Sequence, residues 1–335
     1  MIFERPDDAL HRGLPLRHSL ELPVLGIPVR VRSNARAVVE VAESSFGDWR
    51  ALERHPDLLE AGGGVDVRLV VHDAPDGAAG IAYRRPDATT MVFYGAGCAG
   101  FADAQRGIAV GYVTPAMASD VEQFRYTVLE ALVLFLVTGP NRYPLHASAI
   151  ARRGVGLLLA GPGGSGKSTL AWAARGGGWE VLSDDVVYVQ SSPVWRIWGA
   201  GSRSYLPADA AHHFPDLSEL EAEVTVGGRR KLVVRRAAPV PPVCARAGIC
   251  LLTPGAGSPH LEAMSEAETL DALTSNLEPG FDDFVRAAPE RLLPLAQRGW
   301  RLRLGPDPHA AIPLLERAYE ALGGDAGAPG RPRPA

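Results

Sequence analysis

Hydrophobic and polar positions along this chain fall into two textures. Up to about residue 120 the apolar runs are short and alternate with polar residues. "VLGIPVRVRSNARAVVEVAESSFG" predicts a strand, then a helix capped by Ser33 or Asn34. "VDVRLVVHD", "AAGIAYRR", "TTMVFYGAG" and "RGIAVGYVT" are β-rich runs divided by Gly, Pro, Asp and Asn, and they predict an antiparallel meander. Residues 1–120 therefore read as a small α+β domain, and no catalytic motif stands out in them. A continuous apolar stretch, "TVLEALVLFLVTG", predicts a long buried helix over about 118–139.

Beyond it the texture changes. Strand "GVGLLLAG", a glycine loop, helix "STLAWAARG" and strand "EVLSDD" form a β-loop-α-β unit. "VVYVQSSPVWRIWG" predicts a hairpin turning at "QSSP". "ARAGICLLTPG" and "GWRLRLGPD" predict strands, and "SEAETLDALTSN" and "DPHAAIPLLERAYEALGG" predict helices. The expectation is an α/β domain over 121–322 after the small domain. The Pro/Gly/Arg tail, 323–335, is expected to be disordered.

Composition narrows the function classes only slightly. With 335 residues, 46% apolar and 21% charged, the chain reads as an ordinary globular protein long enough for two domains. A formal charge of −4 gives no general attraction to nucleic acid. Cys98, Cys244 and Cys250 form no C-x-x-C pair, which argues against a zinc site or a disulfide framework. Neither a signal peptide nor a membrane span is legible, so the expected setting is cytoplasmic, with no membrane partner.

The chemistry begins at "GPGGSGKST". Gly161, Gly166, Lys167 and Ser168 satisfy G-x-x-x-x-G-K-[ST], after an apolar strand and at the opening of a helix. Glycines let successive N–H groups converge on one anionic centre, so Gly161, Gly163, Gly164, Ser165 and Gly166 would cradle the phosphates of ATP. The helix start lies beneath them. Lys167 adds a mobile charge, Ser168 a hydroxyl for Mg²⁺, and Thr169 a further phosphate contact.

Some twenty residues on, "WEVLSDD" closes on Asp184 and Asp185. In an open parallel sheet its end would share a crevice with the glycine loop. One carboxylate there could hold Mg²⁺, for which Asp185 is the candidate, and another could accept a proton from an attacking hydroxyl. His146 precedes the loop in "YPLHASAIARRGVGLLLAG", and a hairpin through "RRGVG" would lay its strand beside the loop strand. "VGGRRKLVVRR" places Arg229, Arg230 and Lys231 at a Gly-led turn, with Arg230 and Lys231 as candidate phosphate contacts. "RRAAPVPPVCARAG" reads as a Pro-stiffened connection able to belong to a flap. His212 and His213 have no partner at metal-ligand spacing.

From "LHASA" through the glycine loop to "LSDD", about residues 143–190, the chain resembles the kinase domain of the HPr kinase/phosphorylase family. The resemblance implies a fold similar to the nucleotide-binding part of phosphoenolpyruvate carboxykinase. It also implies a catalytic cluster of His146, Asp184 and Asp185, ATP and Mg²⁺ as cofactors, and transfer to a serine on a protein or peptide. Oligomers are common in that family. "WGAGSRSYLPADAAHHFPDL" lacks the E-[IV]-R-G-x-G signature of HPr kinases proper. The layout therefore looks more like divergent relatives, lasso-peptide kinases among them. A small-molecule kinase and a non-catalytic ATP-binding regulator or assembly factor stay open as alternatives, because a phosphate-binding loop does not specify the acceptor.

Overall fold

A computed structural model describes residues 14–323 except 61, 74–79, 139–140, 200–202, 215–216, 218–219, 227–228, 236–242 and 276–288. The expected tail and most of the Pro-stiffened connection thus lie outside the described residues. The chain divides into two compact units at Gly139/Pro140.

In the first unit, β1 (His18–Val24) and β2 (Ile27–Ser33) form a hairpin, followed by α1 (Arg36–Phe46). Neither expected residue is the N-cap, which is Ala35; Ser33 Oγ instead accepts from the Ala35 N–H at 3.1 Å. The Asn34 carboxamide is engaged elsewhere, pairing with both the N–H and the carbonyl of Val71 at 2.8 Å each. Next come β3 (Val65–Val71), β4 (Ala82–Arg84), β5 (Thr90–Gly95), β6 (Cys98–Asp103) and β7 (Ile108–Val113). The sheet order is β1-β2-β3-β7-β6-β5-β4. The expected meander holds for β4 to β7, but β3 stands outside it, parallel to both β2 and β7.

Helices α2 (Pro115–Ser119), α3 (Val121–Phe124) and α4 (Glu130–Val137) follow, with a π-helical turn joining the last two. The apolar run expected to open the second domain belongs to the first. Leu129, Leu132, Val133 and Leu136 are buried, and α4 packs across β3, β6 and β7.

The second unit is a three-layer α/β/α arrangement. It contains β8 (Arg142–Arg152), β9 (Val155–Ala160), α5 (Lys167–Ala174), β10 (Glu180–Ser183), β11 (Val186–Gln190) and β12 (Arg196–Trp198). Then come β13 (Arg203–Pro207), β14 (Leu220–Val226), β15 (Arg229–Arg235), β16 (Val243–Cys244), β17 (Arg246–Thr253) and β18 (His260–Ala263). Helix α6 (Glu266–Ser275), α7 (Leu293–Ala296), β19 (Gly299–Arg303) and α8 (Ile312–Ala321) complete it. The large sheet runs β16-β12-β11-β8-β9-β17-β19-β18, with β10 also on β8; β13, β15 and β14 form a small separate sheet.

Strands β9, β17 and β19 are parallel, yet β8 lies antiparallel between β9 and the β10–β11 segment. The sheet is mixed, not the open parallel one expected. Apolar strands buried on both faces read alike in either orientation, which is why the pattern did not distinguish them. Leu157, Leu159, Cys250, Leu252 and Leu302 pack against Leu170, Ala171, Leu315 and Ala318 of α5 and α8. Leu145, Ala147, Leu158, Val187 and Ile249 pack against Leu273, Leu292 and Leu295 on the other face.

Both hairpins foreseen in this unit are present. Strands β8 and β9 join through Arg153 and Gly154 alone, with φ of 51° and 75°. Two consecutive positive φ values are what a two-residue hairpin turn with the twist of its strands demands. Strands β11 and β12 pair through Tyr188–Trp198, Val189–Ile197 and Gln190–Arg196.

All three cysteines are free and buried. Burial pushes the thiols of Cys244 and Cys250 up to about 12, with the Glu180 carboxylate adding to the effect on Cys244. At about pH 8, near the ordinary thiol value, both stay protonated and shielded. Iodoacetamide should leave Cys244 and Cys250 unmodified in the native protein and label both after denaturation, read by peptide mass spectrometry. Labelling of native protein at the denatured rate would contradict this.

Candidate functional site

The glycine loop leaves the end of β9 and turns directly into α5. Gly161, Gly164 and Gly166 have φ of 150°, 83° and 94°, backbone that L side chains rarely adopt. The Ser165 N–H donates to Pro162 O at 3.1 Å, curling the loop. Lys167 is buried, and its Nζ donates to Gly161 O at 2.8 Å and Pro162 O at 3.3 Å. Ser168 and Thr169, in the first turn of α5, are half-buried, and Gly163 and Gly164 are exposed. Ser165 is 3% exposed, and its Oγ is buried with no hydrogen-bond partner. A buried hydroxyl in that condition costs about 1–3 kcal/mol, a cost that an anion accepting its proton would remove.

Gly161 fits its place closely. A Cβ there would lie 2.9 Å from Leu252 O and 2.9 Å from Ser165 Oγ. Gly161→Ala should therefore displace the loop, at a cost of about 1–3 kcal/mol, and weaken nucleotide binding about tenfold or more. Titration with a fluorescent ATP analogue checks this; an unchanged dissociation constant would remove the loop from the phosphate site.

Register brings the other candidates to the same level of the sheet. Ala160, the residue before the loop, pairs with Ala147 of β8, and His146 is one residue further along. On the other side of β8, Val186 pairs with His146 and Ser183 with Ala149. Asp184 and Asp185 thus lie beside Ala147 and Ser148, and they interrupt one long strand instead of ending it. Two strand spacings, about 10 Å, separate the loop strand from the aspartates. His146, Ser148 and Ile150 alternate onto one face of β8, and Ile150 shares its core with Leu170 of α5.

The two carboxylates have different surroundings. Asp184 is buried; its Oδ1 accepts from Ser148 Oγ at 2.7 Å and its Oδ2 from the Tyr205 N–H at 2.8 Å. That second bond ties the edge of β13 to the large sheet. Asp185 has φ 74°, and the Val186 N–H donates to Asp184 O at 3.0 Å across it, a γ-turn. Ser183 Oγ donates to Val186 O over the same kink. A non-glycine residue held so costs about 1–3 kcal/mol, and such positions concentrate at functional sites. The kink turns the Asp185 side chain outward, 61% exposed, with its Oδ1 3.4 Å from His146 Nδ1.

Ser148 and the Tyr205 N–H were not foreseen. Ser148 had a signal, standing two residues after His146 in a strand, while a backbone N–H has none. Among the described residues no group of three His, Cys, Asp or Glu could cage a metal. Mg²⁺ asks for less, commonly one or two carboxylates with waters and substrate phosphates. The exposed Asp185 carboxylate and the Ser168 hydroxyl are suited to that role.

The basic candidates separate. Arg230 and Lys231 are neighbours in β15 and so point to opposite faces. Arg230 is exposed, while Lys231 Nζ lies 6.0 Å from the Tyr205 ring centre. Of Arg229 only the backbone is described. His212 and His213 stack with ring centres 3.7 Å apart, and His309 Nε2 lies 3.4 Å from His213 O. Burial, and then the neighbouring His212, hold the His213 pKa below its ordinary value.

Compared with known proteins, the chain matches no family model and no curated sequence. Its architecture places it among α/β proteins built on large mixed sheets. Among the described residues no helix is long and apolar enough to cross a membrane.

Proposed function

We propose that the second unit is an ATP-dependent serine kinase, a divergent relative of the HPr kinases, acting on a protein or peptide. One observation carries this reading. The glycine loop, His146 and Asp185 lie at one level of three adjacent strands, with Asp185 3.4 Å from His146 and held outward by a kink. The loop N–H groups and Lys167 bind the triphosphate. The acceptor hydroxyl attacks the γ-phosphorus as the bond to ADP breaks, and Asp185 takes the hydroxyl proton. His146 orients the carboxylate. Asp184 accepts two hydrogen bonds and positions the kink. Mg²⁺ bound by Ser168 and Asp185 would neutralise charge on the β- and γ-phosphates.

Full-length protein, ³²P-labelled ATP, Mg²⁺ and serine peptides test this. Label in the peptide, lost in Lys167→Ala, is the expected result. Protein that binds ATP yet labels no peptide overturns the reading. Label in a metabolite fraction would instead favour small-molecule transfer.

A further inference from the structure

The three-stranded sheet carries a face that the proposed chemistry does not use. Arg203 pairs with Arg235, Tyr205 with Val233 and Pro207 with Lys231. Residues directly opposite share a face, and alternate residues return to it. Arg203, Tyr205, Lys231 and Arg235 thus stand together. On the reverse face Leu206, Leu232 and Val234 pack with Trp172 and Ala173 of α5. Arg235 is exposed, and Arg203, Tyr205 and Lys231 are half-buried. Neither β13 nor β15 contains a carboxylate residue.

This face begins at the candidate site. The Tyr205 N–H is held by Asp184 at 2.8 Å, and Asp185 is the next residue. In a chain of net charge −4, three cations on one side of two strands form a local exception. Their spacing along β13 and β15 is that of same-side residues in an extended peptide, about 6–7 Å.

We propose that this face docks an acidic segment of the phosphoryl acceptor, a stretch carrying Asp or Glu beside the target serine. The inference rests on the serine-kinase reading. Complementary charge selects such a segment here, while the remainder of the protein repels it. Lys231 then belongs with acceptor selection and not with the nucleotide phosphates.

Two fluorescein-labelled peptides, each with a central serine flanked by aspartates or by lysines, test it on the full chain. Binding is followed by anisotropy without nucleotide, and transfer by label from ATP. The aspartate peptide should bind and react with about tenfold or greater preference. Arg203→Glu and Lys231→Glu should abolish that preference and improve the lysine peptide, a gain that misfolding cannot produce. Arg203→Gln should fall between, with the KM for ATP unchanged throughout. Equal use of the two peptides by the unaltered protein overturns the proposal. So does a raised KM for ATP in the Glu variants with peptide preference intact, because the face would then serve the nucleotide. Charge-dependent binding of the aspartate peptide without transfer keeps the docking face and overturns the kinase reading instead.

Discussion

Asp185→Asn should lower phosphoryl transfer by about 10²–10⁴-fold, the contribution of a positioned general base. The substitution is nearly isosteric, and Asn accepts a positive φ as readily as Asp, so the kink at 74° survives. With 61% of the side chain exposed, little stability depends on its charge. Nucleotide binding measured without Mg²⁺ should stay at the wild-type value, because the loop itself is untouched. Transfer by Asp185→Asn at a rate near wild type would show that the base is elsewhere, with His146 the next group to test.

The adjacent residue should respond in the opposite sense. Asp184→Ala leaves Ser148 Oγ and the Tyr205 N–H without the acceptor they share. Two donors left unsatisfied in buried surroundings cost about 1–3 kcal/mol each. The expected outcome is a lower thermal midpoint and faster amide exchange at Tyr205, as β13 loses its tie to the large sheet. Asp184→Asn should lose much less. Its carboxamide oxygen can still accept from Tyr205 N, and its NH₂ can donate to Ser148 Oγ. If Ala and Asn at this position behave alike in both measurements, the carboxylate is not the tie described above.

Legibility followed locality. The glycine loop was readable because its mechanism needs adjacent residues, and the β8–β9 hairpin because "RRGVG" announces its turn. The aspartate pair was readable as chemistry and misread as geometry, being expected at the end of a parallel strand. What placed it beside His146 was an antiparallel strand inserted from earlier in the chain, and no local pattern records such a neighbour. The different duties of Asp184 and Asp185 were illegible for a related reason. They depend on a serine 36 residues away and a backbone N–H 21 residues away. The helix ending at Val137 was found as an element, but an apolar stripe does not name the sheet it will cover.

The turn at Arg153 and Gly154 sits at the far end of β8 and β9 from the glycine loop, about 20 Å along the strands. It works as a length gauge for the active end. Because side chains alternate at every residue, a single insertion absorbed as a slip of β8 would carry His146 to the opposite face of the sheet. Strand, loop and carboxylates would all persist, yet the imidazole would lie on the wrong side of the sheet. Function here is therefore sensitive to the count of residues in a remote turn that touches neither donor nor acceptor.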